Sequence, residues 1–173
     1  PRSLTPPSLP RGGAERAFGS ISGRNRRMIA IGMHKVLVVE DSSSMRALVR
    51  AILEDGEFAD AHGGVEVSEA SSGFDAMRLL PRGRFALVVT DINMPDINGL
   101  ELIQFVRRSA HLKATPIVII STQSTERDIE RGLALGANAF VPKPFTKESL
   151  RETCARFFPA SDTGGPGRAG EAG

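Results

Sequence analysis

Four short apolar runs each deliver a polar residue at their carboxyl end. Ala86-Leu87-Val88-Val89-Thr90 leads to Asp91, Lys35-Val36-Leu37-Val38-Val39 to Glu40-Asp41, Pro116-Ile117-Val118-Ile119-Ile120 to Ser121, and Ala139-Phe140-Val141-Pro142 to Lys143-Pro144. As parallel neighbours these strands would bring three carboxylates, a hydroxyl and an ammonium to the sheet edge where open parallel sheets bind ligands. Carboxylates packed there repel one another by about 4 kcal/mol per close pair at an effective dielectric near 20. A divalent cation relieves that repulsion, and magnesium suits the set because it is hard, octahedral and content with few carboxylates plus water and phosphate oxygens. A carboxylate oxygen accepts a phosphoryl group once a cation and an ammonium neutralise the transferring charge. Taken singly the residues have plainer roles: Glu40-Asp41 a helix cap, Ser121 a turn former, Phe140 core filling, Asn93 a loop residue, Lys143 a solvated charge. Their conjunction points to phosphoryl transfer, with Ser121 donating to the new phosphoryl.

Between Met33 and Pro159 the pattern alternates five times between a short apolar strand and an amphipathic helix, which argues for a parallel sheet covered on both faces. After the acid pair, Ser42 or Ser43 caps a first helix with Met45, Leu48, Val49, Ile52 and Leu53 at helical spacing. Residues 54 to 64, with Gly56, Gly63 and Gly64, read as an exposed loop, a few residues long for its type, before a strand over residues 65 to 68. A helix from Phe74 stops at Pro81, and after Asn98-Gly99 a third helix turns Leu100, Leu102, Ile103 and Val106 inward. Thr125 caps the fourth helix, with Glu126 and Asp128 in its first turn, Ile129 and Leu133 facing inward and Gly136 ending it. Thr146 begins the last helix, whose core side is Leu150, Cys154 and Phe157.

The formal charge of +2 hides an uneven distribution. Residues 1 to 34 carry six arginines against one glutamate, which leaves sixteen basic and nineteen acidic residues from Lys35 onward. The basic balance thus belongs to the leader, and the folded part has no nucleic-acid footprint. Residues 1–33 are expected to be a disordered or mis-assigned extension, with Met28 or Met33 as the start; a transit peptide or electrostatic tether is the other reading. Residues 159–173, rich in Gly, Ala and Pro, are expected to be a disordered tail. No apolar run has the length of a membrane span, so no insertion is expected. A single cysteine, Cys154, excludes an internal disulfide and suits a reducing, cytoplasmic setting, and His34, His62 and His111 lack ligand spacing for zinc.

From about Lys35 to Phe158 the chain resembles the receiver domains of two-component response regulators, in particular the single-domain chemotaxis type. Glu40-Asp41-Ser42 with Met45-Arg46 is similar to the family's acid-pair motif, Asp91-Ile92-Asn93-Met94-Pro95 to its acceptor motif and Lys143-Pro144 to its lysine motif, and the separations from Asp91 to Ser121, Phe140 and Lys143 match. The resemblance implies a flavodoxin-like, doubly wound, five-stranded sheet in the order 2-1-3-4-5 with five helices and a domain over residues 34–158. It implies that Asp91 accepts a phosphoryl group from the phosphohistidine of a histidine kinase or histidine phosphotransfer protein. Mg2+ would be held by Asp41, Asp91 and the backbone carbonyl of Asn93, with Glu40 reaching it through water. Lys143 would pair with the phosphoryl, Ser121 would move toward it, and Phe140 would turn inward, reshaping the face of the fourth helix, fifth strand and fifth helix for a downstream protein. The Lys143-Pro144 bond would be cis.

By the same resemblance Glu40 replaces a commoner aspartate and Asn98 stands where an aspartate often precedes the glycine. Thr122 is larger than the usual residue after the hydroxyl, while Asn93 and Gln123 hold positions that, with Thr122, tune phosphoryl lifetime. The family is a phosphoacceptor switch and not an enzyme beyond self-catalysed phosphotransfer and autodephosphorylation. Two other readings are a haloacid-dehalogenase-like phosphatase, which wants a second aspartate where Asn93 stands, and a degenerate receiver acting as a constitutive adaptor.

Overall fold

The computed structural model describes residues 33–122 and 125–158. Residues 1–32, 159–173 and Gln123 lie outside them, and with them the expectations of a disordered leader (Met33 apart), a disordered tail and a lifetime-tuning Gln123. Five strands, β1 (His34–Val39), β2 (Val65–Ala70), β3 (Leu87–Asp91), β4 (Ile117–Ser121) and β5 (Ala139–Pro142), form one parallel sheet in the order β2-β1-β3-β4-β5. This is the expected strand order. The central strands are continuous runs of Val, Leu and Ile because both faces are covered, so no position alternates to solvent. Each of these side chains contributes about 1.5–3 kcal/mol when fully buried.

Among the described residues six helices cover the sheet: α1 (Ser43–Leu53), α2 (Gly56–Ala61), α3 (Gly73–Leu79), α4 (Gly99–Arg108), α5 (Glu126–Ala134) and α6 (Lys147–Ala155). A 3-10 turn at Leu80–Arg82 carries Pro81. The side chains Val36, Val38, Val89, Val118 and Ile120 pack against Val49, Ile52 and Leu53 of α1, Phe58 of α2, and Leu150 and Cys154 of α6. The opposite faces of those strands, Leu37, Val39, Val88 and Ile119, pack against Ala76 of α3 and Leu102, Ile103 and Val106 of α4. α5 shares this second layer, since a β-carbon on Gly132 would stand 2.6 Å from Ile119 Cδ1. Side-chain caps fall where expected on Ser42 and Thr125, Thr146 caps the last helix at its expected start, and Asn98, read as part of a turn, caps α4.

Three expectations are corrected. The stretch after α1 is not a plain loop, and the helices number six rather than five, because Asp55 caps α2 and Phe58 gives it a buried anchor. Leu48 is 49% exposed and Leu133 is 43% exposed, so neither is core. Both sit at the margin of an apolar stripe: α1 is centred on Val49, Ile52 and Leu53, and α5 approaches the sheet through Gly132, about 100° around the helix from Leu133.

α2 is strapped to α6. The Asp55 carboxylate meets Arg151 Nη2 at 2.7 Å and Lys147 Nζ at 3.1 Å, while Arg151 Nε donates to the Ile52 carbonyl at 3.1 Å. The Arg151 guanidinium lies over the Phe58 ring at 5.5 Å, and Phe58 and His62 both contact the ring of Phe158.

Candidate functional site

Parallel pairing in this strand order sets the carboxyl ends of β1, β3, β4 and β5 side by side, with Val39 beside Thr90, Asp91 beside Ile120 and Ser121 beside Pro142. Glu40, Asp91 and Lys143 therefore meet. Lys143 Nζ donates to Glu40 Oε2 at 2.6 Å and to Asp91 Oδ2 at 2.9 Å. The second oxygen of Asp91 accepts from the Asn93 backbone N–H at 3.2 Å, and that of Glu40 accepts from Ser42 N–H at 3.2 Å. Glu40 is 1% and Asp91 6% exposed, while Asp41 is the exposed member of the acidic group. Ser121 is fully buried and its carbonyl accepts the Lys143 backbone N–H at 2.8 Å, which fixes the end of β5 to the end of β4. Thr122 follows it on the exposed side, and Phe140, beside Ile119, is half-buried against the α3, α4 and α5 layer. The Lys143-Pro144 bond is cis.

Burial dominates the electrostatics. It pushes the Glu40 carboxyl above its ordinary 4.5, with the Asp91 charge adding to it, and the Lys143 ammonium and Ser42 N–H only partly offset that rise. For Lys143 burial works against the charge, but hydrogen bonds to Glu40 and Asp91 outweigh it and hold the ammonium above the ordinary lysine value of 10.5. One carboxylate oxygen from each of Glu40, Asp41 and Asp91 lies within 4.8 Å of the others. A single octahedral ion fits that spacing with small side-chain shifts, since its ligand oxygens stand about 3 to 4 Å apart. The donor set is all oxygen, as a hard cation requires.

Three supports were not identified as such in the sequence. Gly99 packs so tightly that a β-carbon there would stand 2.1 Å from the Asp91 carbonyl oxygen, and its N–H donates to the Ile92 carbonyl at 3.0 Å. Any side chain would lever the acceptor loop away from β3, so the Asn98-Gly99 pair, read only as a turn, also sets the position of Asp91. Arg46 Nη1 donates to the Glu40 carbonyl at 2.7 Å, and the Thr90 hydroxyl donates to the Asp91 carbonyl at 2.9 Å.

Residues 36–155 match the family described as the response regulator receiver domain. The chain is 34% identical over 124 residues to chemotaxis protein CheY-3 of Vibrio cholerae serotype O1, a match covering 72% of this chain and 91% of the relative. It is 33% identical to chemotaxis protein CheY of Pseudomonas aeruginosa, over 72% of this chain and 95% of that one. The high-resolution structure of CheY4 of Vibrio cholerae crystallised at low pH superposes with a TM-score of 0.66 at 35% identity, over 73% of this chain and 100% of that chain. The chain belongs to the response regulator receiver family, and its relatives mark the domain as chemotaxis-type. Among the described residues no helix is long and apolar enough to cross a membrane.

Proposed function

We propose that this protein is a phosphorylation switch in which Asp91 accepts a phosphoryl group from the phosphohistidine of a histidine kinase or a histidine phosphotransfer protein. One observation carries the reading: a buried carboxylate is bracketed by the Lys143 ammonium at 2.9 Å and the Asn93 N–H at 3.2 Å, next to two further carboxylates. One Asp91 oxygen forms the new P–O bond as the P–N bond breaks, and the electron pair of that bond leaves on the imidazole nitrogen. Asp41, Asp91 and the Asn93 carbonyl would hold Mg2+, with Glu40 reaching it through water, and the ion would neutralise charge on the transferring group. Lys143 exchanges its contacts with Glu40 and Asp91 for the phosphoryl oxygens, and the Ser121 hydroxyl donates to another. Phe140 then turns inward, and the face built by α5, β5 and α6 changes its affinity for a downstream protein. Thr122, Gln123 and Asn93 set how long the phosphoryl persists.

A phosphoryl group adds about −1.5 to −2 of charge. Carrying a two-state switch from one to ninety-nine per cent active takes about 5.5 kcal/mol of differential stabilisation. The chemistry of the receiver unit over residues 34–158 is limited to self-catalysed phosphotransfer onto Asp91 and autodephosphorylation. Incubation with acetyl phosphate and Mg2+ followed by intact-mass measurement tests the assignment. A gain of one phosphoryl group in the native protein and none in Asp91→Ala is expected; no gain, or an equal gain in the variant, contradicts it.

A further inference from the structure

Beside the acidic pocket, at the carboxyl end of β2, lies a cleft of about 340 Å3 lined by Arg46, Glu69, Ser71, Asp75, Leu79 and the arginine pair Arg78 and Arg82. Its charges are unequally satisfied. Glu69 faces Arg46 Nε and Arg50 Nη1, each at 3.9 Å, and Asp75 accepts from the Ser71 hydroxyl at 2.9 Å. Arg46 is held in place by its bond to the Glu40 carbonyl. The side chains of Arg78 and Arg82, by contrast, form no hydrogen bond or ion pair among the described residues. The uncommitted charge of the cleft is therefore positive, and it is carried by two planar forks whose donors suit the oxygens of an oxyanion.

We propose that this cleft binds a small phosphate ester, its phosphate held by Arg78 and Arg82 and its organic part lying along Leu79. The volume falls in the range of small-molecule sites and exceeds what a bare phosphate fills. Asp75 and Glu69 make the cleft unfavourable to a purely anionic ligand, which favours an ester whose body offers hydrogen-bond donors. The site is separate from the Asp91 pocket and does not depend on phosphoryl transfer there. Through Arg46 it adjoins the backbone that carries Glu40.

Amide NMR of the full chain in metal-free buffer, in an Asp91→Ala background so that no phosphoryl transfer occurs and with shifts at Lys143 and Asn93 followed separately to report any binding in the acceptor pocket, tests this with adenosine monophosphate and inorganic phosphate as probes. The monophosphate is expected to shift Ser71, Asp75 and Leu79 saturably and to bind more tightly than inorganic phosphate. The exposed double substitution Arg78→Ala and Arg82→Ala should weaken binding at least about tenfold, or about 1.4 kcal/mol. No saturable shift, or binding unchanged in the double variant, overturns the site, and equal affinity for both probes overturns the ester assignment.

Discussion

Two ionic clusters of this protein, the acidic pocket and the Asp55 strap, are assembled on opposite terms. In the pocket, three carboxylates share one ammonium, and the two acids that touch it, Glu40 and Asp91, are buried. In the strap, one carboxylate, Asp55, is shared by two cations, Lys147 and Arg151, and the pairs are partly open to water. The strap gives its one acid more than enough positive charge, with Glu57 also 3.9 Å from Arg151 Nη1, and so holds α2 and α6 together. The pocket leaves negative charge unsatisfied and buried, which costs stability in the free protein and gives a cation and a phosphoryl group something to gain. A buried, unfavourable arrangement held by its surroundings is what a binding site looks like, and one whose surplus charge is left to water is what a brace looks like.

The largest effect should come from Lys143→Met, which strands two buried carboxylates; metal-free denaturation is expected to show a loss of about 3 kcal/mol. A loss below that of a surface pair would mean the pocket is more solvated than its burial indicates. Arg151→Ala removes the ion pair with Asp55, the hydrogen bond to the Ile52 carbonyl and the cover over Phe58 together, and should cost about 2 kcal/mol. Asp41→Asn should act in the other direction. Relieving one crowded charge is expected to raise metal-free stability by about 1 kcal/mol or less, because Asp41 is exposed, and to diminish the stabilisation that Mg2+ confers. Thermal melts with and without Mg2+ check this, and a lower metal-free melting temperature would count against the crowded-acid picture.

The smallest effect, and the sharpest contrast, lies in pH dependence. Burial raises the Glu40 pKa, so the folded state holds its proton longer than the unfolded chain, and metal-free stability should fall as pH rises from the ordinary value of 4.5 through the raised one. Arg151 first, and then Lys147, lower the Asp55 pKa, so its contribution is complete above the ordinary value of 3.8 and is lost as pH falls through the lowered one. Glu40→Gln should therefore flatten the profile above that range and Asp55→Asn below it. Equal profiles for the two variants would erase the distinction between pocket and strap.

The sequence exposed the pocket more readily than the strap for a physical reason. Strands buried on both faces are nearly unbroken runs of Val, Ile and Leu, and each run stops at a polar residue, so Asp91, Glu40 and Ser121 stand out; Lys143 is marked instead by the short edge strand β5 and the proline after it. That these ends lie side by side depends on strand order, which followed from the family resemblance and not from the apolar pattern. α2 has six residues, begins at Gly56 and buries only Phe58, so it carries no helical period to detect. Its signal was Asp55 before Glu57, a cap with an acid in the first turn. The partners of Asp55 on α6 lie ninety-two and more residues away, beyond any local pattern. Leu48 and Leu133 fit helical spacing yet face water, because spacing locates a stripe and not its edges.

The destination of the phosphoryl group decides whether Asp91 is the acceptor. Treatment with acetyl phosphate and Mg2+, then with labelled borohydride, reduces an aspartyl phosphate to homoserine and marks the residue that carried it. Peptide mapping should find the label at residue 91 alone; label at another carboxylate, or phosphate retained on a hydroxyl such as Ser121, would contradict the account.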